Sequence, residues 1–338
     1  MKVEAYRRNR RDFIKATAAA GVVAASDASA QSASIPWIGF VHSTRLDETW
    51  QAAFFEGLRA QNWEGDPSEN PQAGMARVAI AQFAAGGKYK STDVSNLSRA
   101  ITNTIAELGP QLKLIIAGGG MAGGFAAAGI SVPCLVSLGR YFDFGAQKVG
   151  GYFFDVINQG ANNQSTNVNL NQKIKFLHDT YNVPYAGMCL LYNGNSWMGS
   201  LEMREWTTQM NGLGNANPVV LDAAAGGDNK SININRVINN AIKTPGVQAI
   251  VVSGDPHFTA KRSKIINAAG GRVIMCYPFV EYADDVAEVG AIGQDKYMAY
   301  GPKLSDVYKN LGILAGKFLT TPDMPLSLAS VVPQYVGK

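Results

Sequence analysis

Six short segments place hydroxyls, amides, glycines and a few charges directly after apolar, strand-like runs. They are His42-Ser43-Thr44-Arg45-Leu46-Asp47-Glu48-Thr49, Gly118-Gly119-Gly120-Met121, Gly139-Arg140-Tyr141, Asn193-Gly194-Asn195-Ser196-Trp197, Ser253-Gly254-Asp255-Pro256-His257-Phe258 and Pro278-Phe279. Loops at the carboxyl ends of parallel strands are where open α/β sheets bind ligands. Free backbone N–H groups at the helix starts that follow would favour a carboxylate, and Asp255 would suit an ammonium. Together these groups suit a small polar or zwitterionic ligand. Each of Ser43, Thr44, Ser196 and Asp255 also fits the simpler role of capping the helix behind it.

Other chemistries find less support. Residues 118–123 match G-x-G-x-x-G between a strand and a helix, the setting of a dinucleotide fingerprint, and Arg140 would suit a 2′-phosphate. That glycine run follows the third strand, however, whereas the fingerprint normally follows the first, so a glycine turn opening backbone amides to a ligand is the more economical reading. Three histidines, His42, His178 and His257, form no close metal-ligand pair, and no G-x-S-x-G elbow is present. His178 reads as an exposed helix position. Glu202 with Glu205, and Asp284 with Asp285, read as solvated faces. Cys134, Cys189 and Cys276 lie in apolar runs, are odd in number and match no zinc spacing, so they read as buried, reduced packing residues.

The elements that must position these groups alternate between strand and helix. Apolar runs at 37–41, 76–83, 112–117, 133–138 and 150–156 read as strands. Trp50, Phe54 and Leu58 mark one helix, and Val94, Leu97, Ile101, Ile105 and Leu108 a second. After an Asn-rich and Gln-rich stretch at 158–171, read as a domain entry, the alternation restarts. Helices are predicted near 170–181, 198–210, 234–241, 258–268 and 304–318, and strands at 187–192, 218–221, 247–253 and 272–277. Repeated βα units imply parallel sheets with right-handed crossovers, in two similar halves near 31–141 and 157–275, with the tail returning between them.

The chain has 338 residues, 46% of them hydrophobic and 17% charged, which fits folded domains and not a disordered or fibrous chain. Six of the 30 basic residues and three of the 26 acidic ones lie within residues 1–30, leaving 24 against 23 in the body. A body so nearly neutral has no electrostatic footprint for nucleic acid. Asn9-Arg10-Arg11-Asp12-Phe13-Ile14-Lys15, a mild apolar stretch at 16–25 and Ala28-Ser29-Ala30 read as a twin-arginine export signal with its cleavage site. The expectation is a mature chain from about Gln31, free in the periplasm.

Particular segments carry a resemblance. Ile38-Gly39-Phe40 with Phe54-Phe55-Glu56-Gly57-Leu58-Arg59, residues 114–120 with Val132-Pro133-Cys134-Leu135-Val136, and Tyr300-Gly301-Pro302-Lys303-Leu304 with Val307-Tyr308-Lys309 are similar to the ABC transporter substrate-binding family of type 1 periplasmic binding proteins. The branch they resemble has characterised members that bind aromatic amino acids. The resemblance implies an α/β fold of two doubly wound parallel-sheet lobes joined by a multi-strand hinge. Its boundaries would be 1–30 for the signal, 31–141 plus about 281–312 for the N-terminal lobe, and 142–280 plus about 313–338 for the C-terminal lobe. Ser43, Thr44, Gly118, Gly119, Met121 and Gly139 would face a ligand from the first lobe, and Asn193, Ser196, Asp255 and Phe258 from the second. The hinge would pass near 137–139, 277–279 and the tail. The function implied is a monomeric receptor, without cofactor, metal or catalysis. It would close on an aromatic amino acid or related carboxylate and dock on an inner-membrane ABC permease. An exported NADP-dependent oxidoreductase built on 118–123 and a periplasmic ligand-sensing domain stand as the alternatives.

Overall fold

A computed structural model describes residues 35–42, 47–65, 75–84, 102, 105, 106, 108–118, 130–141, 143–145, 148–155, 157–159, 165–224, 233–289 and 297–337. The segment read as an export signal and most of the predicted helix at 94–108 lie outside these.

The first sheet contains β1 (Trp37–His42), β4 (Ala79–Ala84), β5 (Leu112–Gly118), β6 (Cys134–Arg140), β7 (Val149–Asp155) and β15 (Leu328–Ser330), in the order β15-β7-β6-β5-β1-β4. All its pairings are parallel. The second contains β10 (Met188–Tyr192), β11 (Val219–Asp222), β12 (Ala249–Val252), β13 (Ile274–Tyr277), β14 (Tyr297–Gly301) and β16 (Gln334–Gly337), ordered β11-β10-β12-β13-β14-β16. Only its last strand runs antiparallel. Two-stranded ribbons are formed by β2 (Trp63–Glu64) with β3 (Ala76–Arg77), and by β8 (Ile157–Gln159) with β9 (Ser165–Asn167). Read along the chain, both sheets have the same order: second strand, first, third, fourth, fifth. The α/β architecture of two parallel-sheet lobes follows from it.

Five of the described helices start where their sequences supply a side-chain cap. Asp47 accepts the Thr49 N–H for the helix Glu48–Arg59, Asn167 the Leu170 N–H for Val168–Asp179, and Ser196 the Gly199 N–H for Trp197–Gly212. Asn233 does the same for Ile234–Lys243 and Asp255 for Pro256–Thr259. Each satisfies an N–H that the helix itself leaves without a partner. Central strands are buried throughout, as in Ala249–Val252, which explains their unbroken apolar sequence.

Several expectations change. The predicted strand at 76–83 divides at Val78 into β3, which pairs with β2, and β4, which pairs with β1. The predicted helix at 258–268 divides into Pro256–Thr259 and Arg262–Ala269, because the Lys261 N–H bonds three residues back to Phe258 and closes the first turn. Strands β14 and β16 and the helix Glu281–Val289 had no counterpart in the sequence reading. The lobe boundaries also fall elsewhere. β7 pairs with β6 along its length, so the first sheet runs on to Asp155. β14 belongs to the second sheet. The whole helix Leu304–Thr320 packs on Glu48–Arg59, so no division falls at 312. The chain therefore crosses between sheets at 156–167, 302–303 and 331–333, and not at 137–139 or 277–279.

That helix pair is held by glycines. A Cβ on Gly57 would strike the Lys309 carbonyl, and one on Gly312 the Phe54 carbonyl. The two backbones touch where the glycines cross, and only hydrogen at Cα permits it. Tyr308 stacks on Trp50 at 5.6 Å beside this contact. All three cysteines are free and buried, and burial pushes their thiols up to about 12, which leaves them inert packing groups.

Candidate ligand cleft

In the second sheet the strand order reverses between β10 and β12, and the loops at their carboxyl ends carry Asn193, Ser196 and Asp255. A reversal of this kind leaves a crevice outside the strand ends. Asp255 Oδ1 accepts the His257 N–H at 2.8 Å, and Asn193 Nδ2 lies 3.5 Å from both carboxylate oxygens. Asn193, Ser196 and Asp255 are all almost fully buried. Burial raises the Asp255 pKa, against hydrogen bonds from Ser196, the His257 N–H and Asn193. Burial also lowers the pKa of His257, helped by Lys261 and Lys264 and opposed by the Asp255 charge.

A solvent-connected pocket lies alongside this cluster. Gly139 and Phe154 line it from the first lobe. Asn167 and Pro302 line it at the crossovers, with Asn169 and Gly301 beside them. Leu170, Lys173, Leu190, Met198, Glu202, residues 251–254, Pro278, Phe279 and Tyr300 line it from the second lobe. A Cβ on Gly139 would sit 3.3 Å from Met198 Cε, so the carboxyl end of β6 meets the start of the helix Trp197–Gly212. The carboxyl ends of the two sheets thus face each other. The walls combine apolar side chains with a few placed polar groups, as small-ligand pockets do. Ser253 is 2% exposed, and its hydroxyl has no hydrogen-bond partner among the described residues.

The sequence-predicted set divides three ways. Ser43, Thr44, Gly119 and Met121 lie outside the described residues, and so does most of the glycine run at 118–123. Gly139 lines the pocket, while Gly118 ends β5 at the same edge of the first sheet. Asn193, Ser196 and Asp255 come together just behind Gly254, with Ser196 and Asp255 each capping the helix that follows it. Phe258 does not face the pocket: it is fully buried in the hydrophobic core, because the short helix begun at Pro256 turns it inward.

Glu202 and Glu205 are not a solvated face. The Glu202 oxygens accept the Gly254 N–H at 3.1 and 3.2 Å. Glu205 is paired with Arg140 of the first lobe and accepts Asn167 Nδ2 at 3.1 Å. With its charge neutralised by Glu205, Arg140 is not available to a 2′-phosphate, which removes a residue the dinucleotide reading needs. The signal was present: Met198, Glu202, Glu205 and Gln209 step by four, three and four along one helix face, so the carboxylates travel with an apolar anchor. Asp285 likewise pairs with Arg262. His178 is half-buried, stacked on Tyr185 at 4.2 Å with Nδ1 3.1 Å from the Val183 carbonyl. Among the described residues no group of three or more acids, histidines or cysteines could hold a metal ion, and no helix is long and apolar enough to cross a membrane.

No protein-family model matches the chain, and no curated protein matches it. Solved structures do. A 5-methylthioribose transporter solute-binding protein from Thermotoga lettingae, in complex with 5-methylthioribose, is 13% identical with a TM-score of 0.57, over 89% of this chain and 86% of that one. An ABC domain in complex with L-Trp from Streptococcus pneumonia is 14% identical with a TM-score of 0.55, over 89% and 91%. An ABC transporter solute-binding protein from Bacillus halodurans with bound myo-inositol is 10% identical with a TM-score of 0.54, over 89% and 94%. At these identities the likeness establishes the fold, which is the type 1 periplasmic binding fold.

Proposed function

We propose that this chain is a periplasmic solute-binding receptor that closes its two lobes on one small organic ligand and presents the closed form to an ABC permease. The observation that carries this reading is the meeting of both sheets' carboxyl ends on one pocket, backed by a buried acid and an unpartnered hydroxyl. Export by the paired arginines at 10 and 11 accords with it.

The ligand's chemistry follows from the walls. Phe154, Phe279, Met198, Leu190 and Tyr300 offer an apolar surface. Of the lining residues, Glu202 offers an anionic acceptor, Ser253 a hydroxyl and Lys173 a cation, with Asp255 next in sequence to the lining Gly254. Asp255, whose oxygens accept from the His257 N–H, Asn193 and Ser196, sets its carboxyl beside that wall. A ligand with an apolar or aromatic body and an ammonium head group satisfies these groups better than a bare polyol. The proposal is therefore an amino acid with an apolar side chain, an aromatic one foremost. Among the structural neighbours, one holds L-Trp and others hold 5-methylthioribose or myo-inositol, so both chemistries occur on this fold.

A thermal-shift panel of amino acids, aromatic acids, sugars and nucleotides on the purified chain tests the reading. The expected result is a rise in melting temperature with aromatic or aliphatic amino acids and little with sugars. A rise with sugars alone would overturn the ligand class and leave the receptor role standing. Nucleotide absorbance in the purified protein would overturn both.

A further inference from the structure

Two arginines tie the lobes together across the cleft. Arg140, at the end of β6, reaches Glu205 on the helix Trp197–Gly212. Arg262, at the start of the helix Arg262–Ala269 in the second lobe, places Nη1 3.0 Å from Oδ2 of Asp47 in the first. The two differ in what surrounds them. Glu205 is 6% exposed and Arg140 16%, so the first pair is close to core. Arg262, Asp47 and Asp285 are 20–24% exposed, and Arg262 Nε also holds Asp285 of its own lobe at 2.5 Å.

Asp47 is fixed in place because its other oxygen caps the helix Glu48–Arg59 through the Thr49 N–H at 2.9 Å. Burial works against its charge, yet the Arg262 and Thr49 hydrogen bonds and the Arg262 charge hold its carboxyl below the usual range. Arg262 is fixed by Asp285. The Arg140–Glu205 pair sits beside the crossover, where Glu205 also accepts Asn167 Nδ2, and stays made as the lobes part; Arg262 keeps Asp285 and loses only Asp47, so no charge is stranded by opening. A bridge between partly exposed, pre-positioned groups is cheap to break and quick to remake, unlike a buried pair whose rupture leaves an uncompensated charge.

We propose that Asp47 and Arg262 form a reversible latch across the cleft, with Asp285 as the parking partner of Arg262 in the open form. The latch populates the closed form before any ligand arrives, which raises the share of molecules already shaped to bind.

Small-angle scattering on the ligand-free chain, at about 0.02 M and about 0.5 M salt, tests it. Wild type is expected to be compact at low salt and to expand at high salt. Asp47→Asn keeps the cap, since Asn caps as well as Asp. It is expected to raise the open-to-closed ratio about fivefold, and so to be expanded at both salts with no salt response. Asp285→Asn should remain compact at low salt, because Arg262 still meets Asp47. Circular dichroism and a melting curve confirm that each variant is folded. An Asp47→Asn radius equal to wild type at both salts would overturn the latch. So would expansion in Asp285→Asn alone, which would make Arg262 a support of its own lobe and nothing more.

Discussion

Asp255 does two jobs whose separation needs only one oxygen-to-nitrogen exchange. Its raised pKa means that, between the ordinary carboxylate pKa of the unfolded chain and the higher folded value, the native protein holds more protons than the unfolded one. Stability contributed by this group therefore falls as pH rises through that window. Asp255→Asn keeps the cap and removes the buried charge. The variant is expected to melt at or above the wild-type temperature near pH 7, with a flatter pH dependence above pH ~4. If Asp255 also receives a ligand ammonium, affinity by calorimetry falls at least about tenfold. Unchanged affinity would leave Asp255 as a cap alone. The sequence made this residue legible because Gly254, Pro256 and the preceding apolar run fix both the strand end and the helix start. Phe258 differs from its expected place for a related reason: the turn that closes at Lys261 carries its ring into the core with Ile265 and Ile266, and a cap alone does not show where that turn closes.

The helices Glu48–Arg59 and Leu304–Thr320 show what a pattern of residues can and cannot reveal about an element. Each was visible from its apolar spacing. Their mutual contact was not, because Gly57 and Gly312 carry no hydrophobic signal and are separated by more than two hundred residues. Gly312→Ala retains good helix propensity, and in an exposed helix it would stabilise. Here the new methyl meets the Phe54 carbonyl, so the helices must part. The expected outcome is a loss of about 1–3 kcal/mol in urea unfolding, with unchanged helix content by circular dichroism. A gain in stability would show that the pair does not pack backbone to backbone. The short strands β14 and β16 escaped the sequence reading for the opposite reason. Tyr297–Gly301 mixes aromatic, small and glycine residues, and Gln334–Gly337 has no alternation long enough to read, so pairing partners define both.

At the scale of the molecule, the repeated strand–helix rhythm was enough to give two α/β halves, since periodicity is local. The three crossovers were not, because membership of a sheet is decided by pairing between distant strands. Lobe closure is the property that depends on them. A ligand that binds only the closed form should reduce the radius of gyration in scattering, and at 100 times its dissociation constant it should add about 2.7 kcal/mol to unfolding. A ligand that stabilises without compaction would indicate lobes already shut. The tail that makes the last crossover has a consequence for how the chain is made. β15 completes the edge of the first sheet by pairing with β7, laid down far earlier, and β16, a few residues later, the edge of the second by pairing with β14. During synthesis from the ribosome, neither half can finish until residues 328–337 have left the exit tunnel. Both halves should thus be completed together, once that segment is free to pair, and a chain stalled short of residue 328 should be more open to proteases at both sheet edges.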